Sequence, residues 1–314
     1  MKATAVAPAN IALIKYWGKK DSTLRIPLNP SISMNLSACT TTTTVEFSDD
    51  FEKDVVTEGF DRQRIIQHLD RFRTITQTHK KARMSTKNSF PTSAGIASSA
   101  SGFAALTMAA SAALGLKFSE KELTGFARLG SGSACRSIPD GFVKWEGEAA
   151  HSLYPETHWD LRDIIVIVEH TEKKVSSSAG HDLVHTSPNL QKRLADLPNR
   201  IVRIEEALRT KNFQMFGEVI EEECLDMHHV MQTQNPPLFY WNDTTKTIMD
   251  AVRTWRKEGL PVYFTIDAGP NVHLMCEGMD ERRVLETLKT IVGIESIIFN
   301  KSAPGAHVIE MHLF

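Results

Sequence analysis

Residues 91–102, with the sequence PTSAGIASSASG, constrain the fold more than any other part of the chain. Only Ile96 in this segment has a large apolar side chain, and an alanine-rich apolar run follows it directly. This pattern predicts a helix that begins in the segment and continues to about Leu114. Small residues let the backbone approach a ligand, and the free N–H groups of a helix start attract anions. The segment therefore indicates a phosphate-binding site, with a plain serine-rich helix cap as the alternative.

A second segment of small residues, GSGSACRS, occupies positions 130–137. Its glycines and serines again suit close contact with a ligand, and Arg136 offers a planar guanidinium for a carboxylate or phosphate. Taken alone, this segment fits a turn as well as a site. No lysine follows Gly102 in the first segment, so a Walker-type loop is excluded.

Two further places carry charged residues beside predicted strands. Residues 2–7 predict a first strand that ends at residues 8–10, and the apolar residues that follow give way abruptly to KYWGKK at 15–20. This change is typical of the rim of an anion site, although a solvated turn with extended lysines is the alternative. Asp267 follows a predicted strand at 262–266, where Ala-Gly-Pro ends it. Such a position suits an aimed carboxylate or an ordinary turn aspartate.

The remaining pattern predicts a mixed fold. Strands are expected at residues 31–47, 142–145, 161–168, 296–300 and 307–313. Helices are expected at residues 60–73, 119–129, 187–209, 212–231, 243–258 and 280–292. Ser119 and Glu122 form a predicted capping box for the second of these helices. The elements alternate without the regular order of a parallel sheet, which favours an α+β fold of two joined halves.

Charge and cysteine content exclude several classes of protein. The 314 residues carry a formal net charge of −2, and both signs are mixed along the chain, which argues against nucleic-acid and membrane partners. Residues 1–8 lack the apolar run of a signal peptide, and no stretch approaches a membrane span. Four widely spaced cysteines argue against a zinc module or disulfide scaffold and favour a reducing cytoplasm.

Taken together, these features are the set that phosphoryl transfer requires: a cradle for phosphates, cations to offset their charge, and an acid to orient a hydroxyl. Four segments also resemble the diphosphomevalonate decarboxylase family, which belongs to the GHMP group of small-molecule kinases. They are NIALIKYWGK at 10–19, FPTSAGIASSASGFAAL at 90–106, GSGSACRS at 130–137 and FTIDAGPNV at 264–272.

The resemblance implies an N-terminal half like the second domain of ribosomal protein S5, at residues 1–175, and a ferredoxin-like C-terminal half, at residues 176–314. It places the active site in the cleft between them. It also implies ATP and Mg²⁺, a cytoplasmic homodimer and isoprenoid precursor synthesis. The implied reaction phosphorylates the C3 hydroxyl of 5-diphosphomevalonate. The phosphate is then eliminated with CO₂ to give isopentenyl diphosphate.

The resemblance also implies roles for individual residues. Asp267 would deprotonate the hydroxyl, Lys15 would hold that carboxylate or the phosphate, and Arg136 would hold the substrate carboxylate. The implied substrate-binding residues are Tyr16, Trp17, Gly18, Lys19, Arg64, Ser131, Gly132, Ser133, Ala134, Cys135, Ser178 and His181. The implied ATP-binding residues are Ser93, Gly95, Ser98, Ser99 and Ser101. The metal ligands are not identified.

Three positions depart from the family pattern. His181 stands where the family has Met, Ser178 where it has Arg or Thr, and Asp140 where it has Gly. A shorter contact and an added negative charge predict weaker binding of a diphosphate. A substrate with one 5-phosphate, converted to isopentenyl phosphate, is therefore an alternative. A kinase that stops at the 3-phosphate is disfavoured by Arg136, and an RNA-binding module is disfavoured by the charge balance.

Overall fold

The structure is a computed structural model that describes residues 1–57, 61–91, 98–169 and 177–314, with the backbone alone at 177–179. The described helices are α1 (Arg62–Thr76), α2 (Ser98–Ala113), α3 (Glu120–Gly130), α4 (Ser177–Asp182), α5 (Leu190–Thr210), α6 (Phe213–Thr233), α7 (Asp243–Lys257) and α8 (Glu281–Leu288). The described strands are β1 (Lys2–Ile14), β2 (Lys19–Asp21), β3 (Ile26–Pro27), β4 (Ser31–Ser48), β5 (Val55–Val56), β6 (Lys81–Asn88), β7 (Phe142–Glu146), β8 (Ala149–Tyr154), β9 (Leu161–Ile167), β10 (Tyr263–Thr265), β11 (Val272–Glu277), β12 (Ser296–Lys301) and β13 (His307–Ile309).

A seven-stranded sheet forms the N-terminal half. Its main order is β13-β1-β4-β6-β5, and β7 pairs with β4 and carries β8 at its other edge. All these pairs are antiparallel except β5 with β6. The described strands therefore confirm the α+β class. The sheet takes its outer strand β13 from the far end of the chain, so the two ends of the described chain meet in one layer.

Strand β1 is longer than the sequence suggested. It does not end at residues 8–10 but passes through Pro8 and continues to Ile14, with an irregularity in its pairing to β4 between Pro8 and Asn10. A bulge of this kind accommodates a residue that has no N–H to donate. The extended strand, buried along most of its length, carries the chain to Lys15, which is 1% exposed.

Helix α2 packs across this sheet through small side chains. Its buried residues are mainly alanines, which join Phe47, Leu69 and Phe72 in one apolar cluster. The predicted capping box of α3 is confirmed, because Glu122 N donates to Ser119 Oγ over 3.3 Å and Ser119 N donates to the Glu122 carboxylate over 2.8 Å. Among the described helices, none combines the length and apolar character needed to cross a membrane.

The C-terminal half is a four-stranded antiparallel sheet in the order β10-β11-β9-β12. One face packs against α7 and α8 through an apolar cluster that includes Ile248, Phe264 and Val284. Strand β9 precedes the expected boundary at residues 175 and 176, yet it is an inner strand of this second sheet. The division at 175/176 stays a prediction. By sheet, β9 belongs with the C-terminal elements and β13 with the N-terminal ones.

Candidate active site

The two halves meet at an ion pair between Lys15 and Asp267. Lys15 directly follows β1, whereas Asp267 follows β10 and keeps 30% of its side chain exposed, which leaves it open to a ligand. Lys15 Nζ donates to Asp267 Oδ1 over 2.7 Å. Burial by itself raises the pKa of Asp267, but the positive groups around it, Lys15 foremost, outweigh burial and lower the pKa. The site therefore holds an ionised carboxylate at neutral pH.

The backbone of Lys15 is fixed by a buried ion pair from α5 and α6. The Lys15 N–H donates to Glu223 Oε1 over 3.0 Å, and the Lys15 carbonyl accepts from Arg193 Nη2 over 3.4 Å and from Asn29 Nδ2 over 3.0 Å. Arg193 and Glu223 are themselves paired, with side chains 1% and 0% exposed, and Arg200 adds a second cation 3.1 Å from Glu223. The C-terminal half thereby positions the lysine at the end of β1.

Replacing Glu223 with glutamine is expected to lower the free energy of unfolding by about 1.5–3 kcal/mol, because the buried Arg193 loses its charged hydrogen-bond partner and keeps Asp226, 3.2 Å away. Urea denaturation measures this loss. The matched control is Glu222→Gln, since Glu222 pairs with Arg203 at the surface over 2.7 Å and its side chain is 45% exposed. This control is expected to cost less than about 1 kcal/mol. Equal losses in the two variants would contradict the prediction.

Arg136 lies in a 3₁₀ turn at Gly132–Ser137 and is only 3% exposed. Its Nε and Nη2 donate to Asn10 Oδ1 over 3.3 and 3.1 Å, and its Nη1 donates to Ser31 Oγ over 2.7 Å. Asn10 also donates to the Ser133 carbonyl over 3.2 Å. Burial lowers the pKa of Arg136, while nearby negative charge, including that of Asp267, opposes this change. Because Asn10 and Ser31 are neutral, the Arg136 guanidinium retains its positive charge for a ligand.

Tyr16, Trp17 and Gly18 surround His181. The His181 ring lies 4.3 Å from the Tyr16 ring and 4.5 Å from the Trp17 ring, measured between centroids. Burial, with added repulsion from nearby cations, lowers the pKa of His181 to about 3, so its neutral Nδ1 accepts from Gly18 N over 2.8 Å. Gly18 has a φ of 100°, which favours glycine. A Cβ at Gly132 would lie 2.8 Å from the Tyr16 hydroxyl, so these two motifs meet closely.

Lys19 forms an ion pair with Asp182, the last residue of α4, over 2.8 Å. The Lys19 side chain is 8% exposed and that of Asp182 is 58% exposed. The sequence indicated Lys19 as a cation for an anionic ligand. In the structure, the carboxylate of Asp182 already pairs with it. An anion that binds Lys19 therefore competes with Asp182.

The serines predicted to bind ATP have different surroundings. Ser98 begins α2, and Ser99 Oγ lies 3.2 Å from Ser131 Oγ, so the two segments of small residues adjoin. Ser101 is fully buried; its hydroxyl accepts from Thr41 over 2.6 Å and donates to the Ser98 carbonyl over 3.3 Å. The Ser101 hydroxyl therefore has a donor and an acceptor partner within the protein. Direct contact of Ser101 with ATP stays a prediction.

The other predicted residues support the substrate segment. Arg64 Nη2 donates to the Gly130 carbonyl over 2.9 Å. Ala134 and Cys135 are fully buried, and burial raises the pKa of the Cys135 thiol to about 12. Because neither side chain is exposed, direct contact of Ala134 or Cys135 with a substrate stays a prediction. Three predicted residues lie outside what the structure describes, namely Ser93, Gly95 and the side chain of Ser178.

Asp140 does not add its charge to this pocket as the sequence suggested. Asp140 is exposed, and its Oδ1 accepts from Gly305 N over 2.6 Å, in the segment between β12 and β13. The titratable groups that act on Arg136 are Cys135, Asp267 and Tyr16, of which only Asp267 is charged at neutral pH, and Asp140 is not among them. The expectation was wrong because neighbours in sequence on a tight turn point in different directions. Asp182, in contrast, pairs with a predicted ligand-binding cation, Lys19.

Sequence reasoning missed several residues that position the site: Asn10, Ser31, Glu223, Arg193 and Asp182. Asn10 had a usable signal, because it is a polar residue in a strand that is otherwise apolar and buried. Glu223 had none, since acids on a helix are ordinarily solvated and only tertiary packing brings this one to Lys15.

The fold and the site define a small-molecule enzyme of the GHMP kinase fold. Its two α+β halves bring a lysine, an acid and serine-rich segments together at their junction. Residues 7–153 match the family model described as diphosphomevalonate decarboxylase-like N-terminal domain, and residues 163–311 match the mevalonate 5-diphosphate decarboxylase C-terminal domain. The chain belongs to the diphosphomevalonate decarboxylase family, whose members are ATP-dependent decarboxylases.

Individual relatives agree over nearly the whole chain. The diphosphomevalonate decarboxylase of Candida albicans is 36% identical, over 91% of this chain and 87% of its own length. The crystal structure of mevalonate diphosphate decarboxylase from Staphylococcus aureus is 37% identical and covers 98% of each chain, with a TM-score of 0.93. A structure described as MDDEF in complex with MVAPP, AMPPCP and magnesium is 35% identical and covers 99% of each chain, with a TM-score of 0.92.

Proposed function

We propose that the protein phosphorylates the C3 hydroxyl of 5-diphosphomevalonate with ATP and then eliminates that phosphate with CO₂, which yields isopentenyl diphosphate. The observation that carries this proposal is the junction of the halves, where the ionised Asp267 pairs with Lys15 and also acts electrostatically on Arg136. Membership of the family and the names of its relatives support the same reaction.

The first step needs a base and a cation in contact. A tertiary alcohol is a weak nucleophile, so Asp267 accepts the proton of the C3 hydroxyl as its oxygen attacks the terminal phosphorus of ATP. Lys15 lies 2.7 Å from that carboxylate and offsets negative charge as the phosphate is transferred. ADP leaves with the electron pair of the broken phosphorus–oxygen bond.

The second step needs the carboxylate held away from the leaving phosphate. Arg136, fixed by Asn10 and Ser31, binds the substrate carboxylate through its planar guanidinium. The carbon–carbon bond then breaks, its electrons form the new double bond, and the 3-phosphate departs. Tyr16, kept protonated because burial raises its pKa, can donate to the phosphorylated tail.

ATP and magnesium fit the residues around the start of α2. Helix α2 begins at Ser98, where the N–H groups of the first turn have no partner within the helix itself, beside the hydroxyls of Ser99 and Ser131. Among the described residues, no group of three or more His, Cys, Asp or Glu side chains could hold a metal ion by itself. This suits Mg²⁺, which is usually held by substrate phosphates and one or two carboxylates, and the exposed part of Asp267 offers one. Magnesium would offset the charge of the ATP phosphates.

One observation favours a second candidate, a decarboxylase of 5-phosphomevalonate. Asp182 adds negative charge next to Lys19, and a tail with one phosphate meets less repulsion there than a diphosphate does. The test is the release of CO₂ and ADP with ATP and Mg²⁺, run in parallel on 5-diphosphomevalonate, 5-phosphomevalonate and mevalonate. Preference for the diphosphate is expected. Preference for the monophosphate would select the second candidate, and ADP without CO₂ would reject both.

Replacing Asp182 with asparagine is expected to lower the KM for the phosphorylated substrate by about 1.5- to 5-fold, because an exposed ion pair is worth about 0.2–1 kcal/mol. The amide no longer competes for Lys19. Steady-state kinetics measure the change, and the KM for ATP is expected to stay constant. The control is Asp243→Asn, which removes the surface pair with Lys246 on α7. An unchanged or higher KM in Asp182→Asn would contradict the prediction.

We also propose that the enzyme is a homodimer and acts in the cytoplasm. The family resemblance supports the first point, and the four cysteines, all buried and unpaired, suit a reducing compartment. Analytical ultracentrifugation over a range of concentrations tests the dimer, and cell fractionation tests the compartment. A monomer at micromolar concentration, or recovery with membranes, would contradict the respective point.

A further inference from the structure

The turn between β2 and β3 holds one arginine in a restrained conformation. Leu24 N donates to Asp21 Oδ1 over 2.7 Å, which closes the turn. Arg25 follows with a φ of 52°, in the left-handed region that residues other than glycine seldom adopt. Such a backbone is strained and persists where the surroundings over-determine it. The position of Arg25 is therefore imposed by its contacts.

Those contacts join the turn to the end of α3. Arg128 Nη1 donates to the Leu24 carbonyl over 2.5 Å, and Arg25 Nε donates to the Leu129 carbonyl over 3.2 Å. Arg64, from α1, donates through Nη2 to the next carbonyl, that of Gly130, over 2.9 Å. Two guanidinium groups from separate elements are thus anchored on consecutive carbonyls, directly before the segment that begins at Ser131.

The two cations lack matching anions. Within the described parts of the chain, Arg25 forms no ion pair and its two Nη groups have no hydrogen-bond partner, while Arg64 has only Asp61, at 3.9 Å. Burial lowers the pKa of Arg64, and the charge of Arg25 lowers it further. The same charge also acts on Tyr16 and on His181, two of the residues implied to bind the substrate. Like charges held together without a counterion favour binding of an anion.

We propose that Arg25 joins Arg64, already implied as a substrate-binding residue, in a clamp for the terminal phosphate of the substrate's 5-phosphorylated tail, with Arg25 as a specificity-determining residue. The inference rests on the proposed function, because that function supplies the phosphorylated tail. Arg25 binds through its free Nη groups while its Nε keeps the hydrogen bond to Leu129. The clamp provides a cation from the turn between β2 and β3. This cation is separate from Lys19, which already forms an ion pair with Asp182.

The test uses inorganic pyrophosphate and calorimetry on the intact protein, together with kinetics. Arg25→Gln is expected to weaken pyrophosphate binding and raise the KM for 5-diphosphomevalonate by about 10- to 100-fold, the value of one or two charge-assisted hydrogen bonds. The KM for ATP is expected to stay within about twofold. Arg25→Lys keeps the positive charge but not the planar guanidinium fork. Its pyrophosphate affinity and KM are expected to lie between those of the wild type and Arg25→Gln. The control is Arg62→Gln, since Arg62 on the same helix as Arg64 donates to the Asp54 carbonyl.

The possible outcomes distinguish failure of the clamp from failure of the proposed function. If Arg25→Gln melts as wild type does and binds pyrophosphate equally well, the clamp is overturned. If Arg25→Gln is unstable, Arg25→Lys decides, because wild-type pyrophosphate affinity in that folded variant together with an unchanged KM overturns the role of the fork. If wild-type protein turns over none of the mevalonates but its pyrophosphate affinity depends on Arg25, the clamp stands and only the proposed function fails.

Discussion

Replacement of Asp267 by asparagine is expected to lower kcat by about 10³-fold or more, because the amide cannot accept the proton of the C3 hydroxyl. Asparagine keeps the size of the side chain, so ATP binding is expected to persist. The change also removes the partner of Lys15, whose side chain is 1% exposed. Rapid-quench measurement of ADP formation, with ATP binding followed by calorimetry, separates chemistry from binding.

Asp182→Asn is the matched control for this experiment. Both acids pair with a lysine of the same motif, Asp267 with Lys15 over 2.7 Å and Asp182 with Lys19 over 2.8 Å. The same change from acid to amide is therefore expected to abolish turnover at Asp267 and to improve substrate binding at Asp182. Near-normal turnover in Asp267→Asn would contradict the mechanism. Comparable melting temperatures for the two variants would show that lost activity does not come from unfolding.

Replacement of Arg136 by glutamine is expected to lower CO₂ release by about 10²- to 10⁴-fold, the value of two lost charge-assisted hydrogen bonds to the substrate carboxylate. ADP formation is expected to fall less, because phosphoryl transfer depends on Asp267 and Lys15. The measured quantity is the ratio of CO₂ to ADP, which is one for a coupled enzyme and is expected to drop in this variant, with a 3-phosphorylated product detected by mass spectrometry.

Arg136→Lys distinguishes the planar fork from the charge. Lysine retains a cation but cannot donate to Asn10 and Ser31 as the guanidinium does over 3.1 and 2.7 Å. It is therefore expected to recover only part of the CO₂ release. Full recovery would show that charge alone suffices. A CO₂ to ADP ratio of one in Arg136→Gln, at any rate, would place the residue outside the decarboxylation step.

Much of the fold followed from local signals. The capping box at Ser119 and the long amphipathic helices α5, α6 and α7 were predictable, because caps and periodicity depend on residues close in sequence. The continuation of β1 through Pro8 was not predictable. A proline ends a strand on local grounds, and only the pairing irregularity against β4 makes it tolerable.

The family could also be recognised from the sequence alone, because four segments resemble it, and the motifs around Lys15, Arg136 and Asp267 carry the residue types that phosphoryl transfer requires. Tertiary structure decided how these residues are used. It pairs Lys19 with Asp182, turns Asp140 toward Gly305 and brings Glu223 to the backbone of Lys15. Residue types are fixed by chemistry and can be recognised locally. Charge pairing depends on distances between elements that are far apart in the chain, and packing alone sets those distances.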